Sequence, residues 1–294
     1  MTERVSDNRV RDVAPHAGAD GPRDDRIKTL NGGFDAAARG PDPHKPLDNT
    51  LAKIAEAVYD PGRQNVDGWR RLGDGELAQR GIDPNLQYSG GNLAGVYTDG
   101  QGHYTVAFAG NTNNEPTDIG TIVAQALGAD TTQYNNAISL GRQVESAFGP
   151  DNVIYTGHSH GGGLASATAM ATGSTAVTFN AAGVSDGTLS RLGLDPAAAR
   201  AQAEAGQIRT YSVIDDFATL LQQDIPFVNA LPDPLGSNLR VMTTGGHNMD
   251  VMIRGLDGDL PIAKTPNFTD PIEKPLEGMF NFIGSIVSPF IPRF

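Results

Sequence analysis

Ser159 is the residue of this sequence whose surroundings are best suited to nucleophilic chemistry. It follows an apolar run at residues 153–155 and precedes small residues at 162–170, with Gly157 two positions before it and Gly161 two positions after it. A strand that turns directly into a helix around an exposed serine needs glycine at both flanking positions, because a side chain there would collide with the turn. We therefore predict a strained nucleophile elbow at Ser159. The alternative is an incidental serine in a glycine-rich loop, since 36 of the 294 residues are glycine.

A serine hydroxyl needs a neighbouring imidazole to take its proton, and the chain has six histidines. Five of them lie in an expected N-terminal leader, beside a hairpin turn, or next to Ser159 in the chain: His16, His44, His103, His158 and His160. His247 follows an apolar strand at residues 239–243 and a Gly-Gly turn, which places it on a loop at a strand end. We predict His247 as the general base, with an ordinary polar loop residue as the alternative.

The imidazole in turn needs a carboxylate, and in parallel α/β sheets the acid follows a strand between the serine and the histidine in chain order. Residues 208–214 form a strand pattern that ends in Asp215-Asp216. One of these two should orient His247. The alternatives are that one caps a helix at residues 217–223 or that both are solvated loop charges.

Acyl transfer also needs two hydrogen-bond donors aimed at the developing oxyanion. The backbone N–H of His160, directly after the nucleophile, is the first candidate. The second is expected in the loop at residues 109–112, which leaves an earlier strand, and Asn111 is the favoured donor there. Asn111 could equally be a simple turn residue.

The surrounding pattern predicts an α/β domain with a mainly parallel central sheet. Apolar residues at helical spacing over 50–59 predict an opening helix that only packs on the domain, and residues 93–98 and 103–109 flank a turn sequence typical of a β-hairpin. Helical patterns follow at residues 119–127 and 138–148. Strands and helices then alternate, with strands at residues 153–156, 176–180, 208–214 and 239–243.

Residues 1–48 carry eight basic and nine acidic residues with few large apolar ones, so we expect a disordered leader before a single catalytic domain at 49–294. The net charge of −12 without a basic cluster argues against nucleic acid as a partner. No signal sequence or transmembrane stretch is evident, so we expect synthesis in the cytoplasm. The absence of cysteine excludes disulfides and thiolate chemistry and leaves export by a signal-independent machine open.

Three motifs resemble the class 3 lipases, an α/β-hydrolase family that includes fungal lipases and bacterial phospholipases A1. Residues 106–111 with Asp118-Ile119 are similar to the family's oxyanion strand, residues 157–162 to its elbow, and residues 213–220 to its strand-end acid. By that match Asp216 is a better candidate than Asp215. Ala109 and Asn111 stand where the family has arginine and threonine, so the chain looks more like divergent bacterial lipase-like hydrolases, some of which are delivered as toxins or effectors.

The resemblance implies an α/β-hydrolase fold and ester hydrolysis without metal or cofactor. We expect a serine carboxylic-ester hydrolase acting on a glycerophospholipid or acylglycerol. The alternatives are a water-soluble esterase, thioesterase or acyltransferase with the same triad, or a non-catalytic binding module. Apolar segments at residues 220–235 and 276–294 could meet a membrane or lipid interface, although docking on the core is the favoured interpretation of the second. Head group, acyl position and oligomeric state stay open.

Overall fold

The computed structural model describes residues 33–110, 131–214, 232–258 and 260–264. In these ranges the strands form one sheet in chain order: β1 Asn65–Val66, β2 Trp69–Arg71, β3 Ala94–Thr98, β4 Tyr104–Phe108, β5 Val153–His158, β6 Thr175–Phe179, β7 Ile208–Val213, β8 Ser237–Val241 and β9 Ile262–Lys264. Strands β4 to β8 pair in parallel, whereas β1 to β4 and the β8–β9 pair are antiparallel. The predicted α/β architecture and the β3–β4 hairpin are confirmed, and the parallel strands form the centre of the sheet.

The register brings the ends of the central strands to one edge. Gly157 on β5 lies opposite Phe108, the last residue of β4, and His158 lies opposite Phe179, the last residue of β6. Strands β7 and β8 end beside each other at Val213 and Val241. Residues that follow these four strands therefore gather at the carboxyl edge of the sheet, which is where ligands bind in open α/β sheets.

The helices of the described ranges are α1 Phe34–Ala38, α2 Lys45–Ala57, α3 Asp74–Gln79, α4 Thr131–Phe148, α5 His160–Thr172, α6 Asp186–Arg191, α7 Pro196–Gln202 and α8 Met249–Asp257. None of them is long and apolar enough to cross a bilayer. Helices α4 to α7 lie in the connections between successive parallel strands. Because the strands follow one another in order and such crossovers are right-handed, these helices cover the same face of the sheet.

We call this the crossover face. Its core joins apolar side chains of α4 and α5 to alternate residues of the strands, including Val106, Phe108, Val153 and Tyr155. The glycine-rich start of α5 approaches the sheet closely, since a Cβ on Gly162 would come within 2.6 Å of the Ala181 Cβ. Small residues in α5 therefore allow the tight helix-to-sheet packing that the sequence pattern predicts.

The opposite side, which we call the terminal face, is covered by α1, α2 and α8. These helices pack over the other set of alternate strand residues, among them Ile154, Val177, Phe179, Tyr211 and Val241. The Nδ2 of Asn49 on α2 donates to the Asp257 carboxylate on α8 over 2.7 Å. Helices from the two ends of the described chain thus form one layer.

The expected leader boundary at residue 48 is wrong. Phe34 and Leu47 are each 3% exposed, and Asp48 is fully buried, where its carboxylate accepts from the Arg209 guanidinium at 2.6 Å and from the Tyr211 hydroxyl at 2.5 Å. Residues 33–48 therefore belong to the folded domain, whereas residues 1–32 lie outside the described residues. A segment of low apolar content cannot fold alone, but a few apolar residues suffice to complete a core that already exists.

Candidate functional site

Ser159 occupies a strained turn between β5 and α5. Its backbone angles are φ 56° and ψ −129°, outside the regions that L-residues normally adopt. A Cβ on Gly157 would collide with the carbonyl oxygen of Gly161, and a Cβ on Gly161 with that of Phe108. The predicted elbow geometry is confirmed, including the need for glycine at both flanking positions. The nucleophilic role of Ser159 stays a prediction.

Backbone hydrogen bonds hold this turn in place. The Ser159 N–H donates to the carbonyl oxygen of Phe179 at the end of β6 over 3.1 Å. The Ser159 carbonyl oxygen accepts from the N–H groups of Gly162 and Ala182, both at 2.9 Å. A strained conformation persists only when its surroundings fix it on several sides. Here β6 and the first turn of α5 do so.

His160 is the first residue of α5, and its two polar parts have different environments. Its backbone N–H, like those of the first turn of any helix, has no carbonyl partner within the helix, so it can serve the predicted oxyanion. Its imidazole Nε2 lies 3.0 Å from the Gln133 side-chain oxygen on α4. Burial lowers the pKa of His160, which favours the neutral imidazole. The side chain thus anchors α5 to α4.

Gly110, directly after β4, brings the start of the predicted oxyanion loop against the elbow. A Cβ on Gly110 would come within 2.6 Å of the Tyr59 hydroxyl and 3.1 Å of the Ser159 Cβ. The chain therefore passes the elbow at contact distance only because residue 110 is glycine. Asn111, the predicted second donor, lies outside the described residues.

His247 lies in the loop between β8 and α8, one residue before the N-cap Asn248. The loop turns through Gly245 and Gly246, with φ of 139° and 72°, angles that favour glycine. The centroid of the His247 ring is 4.6 Å from that of His158, the chain neighbour of Ser159. The fold therefore brings the predicted base to the strand that carries the predicted nucleophile.

Asp215 and Asp216 lie outside the described residues, although the strand that leads to them does not. The N–H of Val213, the last residue of β7, donates to the side-chain oxygen of Asn180 over 3.0 Å. Asn180 has a positive φ of 42° and directly follows β6. Strand β7 thus ends between β6 and β8, and the predicted acid follows it in the sequence. The choice of Asp216 stays a prediction.

Tyr59 and His158 make contacts at the site that the sequence pattern does not predict. Tyr59 follows α2, which was expected only to pack, but its hydroxyl oxygen accepts from the Gly110 N–H at 2.7 Å and lies 3.0 Å from His158 Nδ1. His158 Nε2 lies 2.9 Å from the backbone carbonyl oxygen of His247. No local pattern marks these residues, because the contacts join parts of the chain that are distant in sequence.

Of the two apolar segments, most of residues 220–235 and all of 276–294 lie outside the described residues. The described end of the first segment packs on the domain. Leu235 is 1% exposed, and the carbonyl oxygen of Pro232 occupies the space that a Cβ on Gly183 would need. Contact of either segment with lipid stays a prediction.

Comparison with known proteins identifies a family and one close relative. The family model described as "Tle-like phospholipase domain" matches residues 50–262. An extracellular phospholipase A1 of Serratia liquefaciens is 45% identical over 194 residues, which are 65% of this chain and 59% of that protein. Among solved structures, the Rhizomucor miehei lipase propeptide complex aligns with a TM-score of 0.44 and 12% identity, over 75% of this chain and 78% of that one.

Proposed function

Because the chain belongs to the family of Tle-like phospholipase domains, we propose that it hydrolyses a carboxylic ester of a glycerophospholipid through an acyl-enzyme on Ser159. The observation that carries this proposal is the strained elbow at Ser159, with the His247 ring beside the ring of its neighbour His158. A partly exposed serine on a strained turn suits acyl transfer when a histidine loop lies at the same edge of the sheet.

The proposed reaction has two halves. In the first, His247 takes the Ser159 hydroxyl proton while Oγ attacks the ester carbonyl, and the N–H groups of His160 and Asn111 stabilise the oxyanion. The carbonyl re-forms, and His247 returns the proton to the departing lysophospholipid alkoxide. In the second half, His247 activates water, which cleaves the acyl-serine bond, releases the fatty acid and restores Ser159. Asp216 orients the His247 imidazole throughout and stabilises its cation.

The Serratia relative supports a more specific proposal for the bond that is cleaved and for the place where the protein acts. It is a phospholipase A1 and extracellular, so we propose cleavage at the sn-1 ester and action outside the producing cell, at a lipid interface. This chain spans 59% of that protein's length. The choice between the sn-1 and sn-2 esters therefore needs a direct test on this protein. Export by a signal-independent system, as expected for a bacterial effector or toxin, belongs to the same proposal.

The test is mass spectrometry of a phospholipid carrying different acyl chains at sn-1 and sn-2, before and after incubation with the protein. We expect release of the sn-1 fatty acid and a lysophospholipid that keeps the sn-2 chain. Ser159→Ala should abolish this release, by about 10³-fold or more. The matched control is Ser166→Ala on α5, the helix that follows Ser159, because the buried Ser166 hydroxyl has no hydrogen-bond partner among the described residues.

Release of the sn-2 chain would contradict the positional assignment only. Turnover of a soluble short-chain ester without any phospholipid hydrolysis would favour the water-soluble esterase. A Ser159→Ala protein that folds and hydrolyses as fast as the wild type would contradict the proposed function itself.

A further inference from the structure

A continuous chain of hydrogen bonds connects the end of β4 to the loop that carries His247. The Gly110 N–H donates to the Tyr59 hydroxyl oxygen at 2.7 Å, this oxygen lies 3.0 Å from His158 Nδ1, and His158 Nε2 lies 2.9 Å from the His247 carbonyl oxygen. Each contact is of ordinary hydrogen-bond length. These hydrogen bonds lie next to the Ser159 turn, since His158 precedes Ser159 and is only 8% exposed.

The partners constrain where the protons of these hydrogen bonds lie. The His247 carbonyl can only accept, so His158 Nε2 must carry a proton and donate it. The Tyr59 oxygen accepts from the Gly110 N–H, and its own proton can be donated to His158 Nδ1, which is the unprotonated nitrogen when the imidazole is neutral and protonated on Nε2. Burial raises the pKa of Tyr59 to about 12, which keeps this donor protonated at neutral pH.

The two ends of this chain are the backbone segments whose placement matters most for the proposed reaction. Gly110 is the residue before Asn111, so its orientation sets the start of the oxyanion loop. The carbonyl group of His247 belongs to the base itself and sets where its side chain leaves the backbone. Positioning errors of about 1 Å in such groups can lower a rate about 100-fold.

We propose that Tyr59 and His158 are positioning residues, which together fix the oxyanion loop and the base loop relative to Ser159. This inference rests on the proposed function. Neither side chain takes part in the chemistry: Tyr59 acts through the Gly110 backbone and His158 through the His247 backbone. His158 and Tyr59 thus have a role that is separate from both the predicted triad and the predicted oxyanion hole.

Tyr59→Phe is the first test, because it removes the hydroxyl and keeps the ring. We expect kcat on a soluble p-nitrophenyl ester to fall about 10- to 100-fold with little change in KM. The matched control is Tyr155→Phe, which removes another buried hydroxyl, one that donates to the Glu145 carboxylate at 2.6 Å on the crossover face. This control should lose stability without a comparable loss in kcat.

His158 is tested by two replacements and a combination. His158→Gln can still donate to the His247 carbonyl, so it should keep more activity than His158→Ala, whose side chain cannot. Because Tyr59 and His158 are hydrogen-bonded to each other, the loss of kcat in the double variant Tyr59→Phe/His158→Ala should be smaller than the product of the two single losses. A ¹⁵N spectrum of the wild-type histidines should show His158 neutral, with the proton on Nε2.

The outcomes separate this inference from the proposed function. A wild-type protein without ester hydrolysis would overturn the proposed function and, with it, a positioning role. An active wild type combined with an unchanged kcat in Tyr59→Phe would overturn only the positioning role. The same holds if Tyr59→Phe and Tyr155→Phe lose activity equally, if the effects of the two changes simply add, or if His158 carries its proton on Nδ1.

Discussion

The crossover face and the terminal face of the sheet are covered by helices of different origin, and each contributes a different part of the candidate site. On the crossover face, α5 begins directly after Ser159 and so holds the predicted nucleophile. On the terminal face, α2 precedes Tyr59 and α8 follows His247. The site is therefore complete only when both layers are in place, which joins the activity of the protein to the packing of residues far from Ser159.

The two layers also differ in how the sequence encodes them. Crossover helices alternate with strands, and α4 and α5 supply most of the apolar side chains that helices contribute to the core of that face, so their position follows from the chain order. The helices of the terminal face come from opposite ends of the described chain, and they meet through long-range contacts such as the one between Asn49 and Asp257. The difference shows that a short segment of mixed composition can be essential when it closes a core built by others.

The largest effect is expected where the two layers deliver their reacting groups. Ser159→Ala and His247→Ala should each lower kcat by about 10³-fold or more, and the double variant should be no slower than either single variant, because the two groups act as one unit. Steady-state kinetics on a p-nitrophenyl ester measures this. Multiplicative losses in the double variant would show that the two faces do not build a shared site.

Substitution of the predicted acid should have the next largest effect on kcat. Asp216→Asn should lower kcat by about 10³- to 10⁴-fold through loss of control over the His247 tautomer, whereas Asp215→Asn should cost about tenfold at most. The two aspartates are neighbours in the sequence, so each variant serves as the control for the other. A reversed ranking would move the acid to Asp215 and leave the rest of the account unchanged.

Truncation tests the terminal face directly. Removing residues 1–48 deletes α1 and the start of α2 and leaves the buried Arg209 without the Asp48 carboxylate, so we expect a loss of about 5 kcal/mol or more in unfolding free energy. Removing residues 1–32, which contain few large apolar residues, should change it by less than about 0.5 kcal/mol. Chemical denaturation of both proteins gives the comparison. Equal stability of the two would return residues 33–48 to the leader.

The buried Asp48–Arg209 ion pair gives a second comparison between the terminal face and the crossover face. Asp48 is completely buried against Arg209, which also donates to the backbone carbonyls of Ala37 and Gly40, so Asp48→Asn should cost about 3 kcal/mol. The control is Asp186→Asn on the crossover face, where the side chain is 69% exposed and pairs with Arg200 at 2.7 Å. We expect at most about 1 kcal/mol there. Thermal and denaturant unfolding measure the loss of stability in each variant. A larger loss in Asp186→Asn than in Asp48→Asn would contradict the prediction.

Much of the fold was predictable because it depends on local pattern. The β3–β4 hairpin, the strand before Ser159, the flanking glycines and the position of His247 after a strand and two glycines all follow from short stretches of sequence. The predicted leader boundary is wrong because the average composition of residues 1–48 conceals the contribution of Phe34 and Leu47 to the core. Tyr59 and the contacts of His158 could not be predicted, since they exist only when α2 and β5 pack together.

The central claim, that Ser159 is an activated nucleophile, is tested most directly by a fluorophosphonate probe followed by peptide mass spectrometry. We expect a single covalent adduct on the peptide that contains Ser159, no adduct in Ser159→Ala, and slower labelling in His247→Ala, because the imidazole must take the hydroxyl proton. Absence of labelling in a folded wild-type protein, or an adduct on another residue, would contradict it.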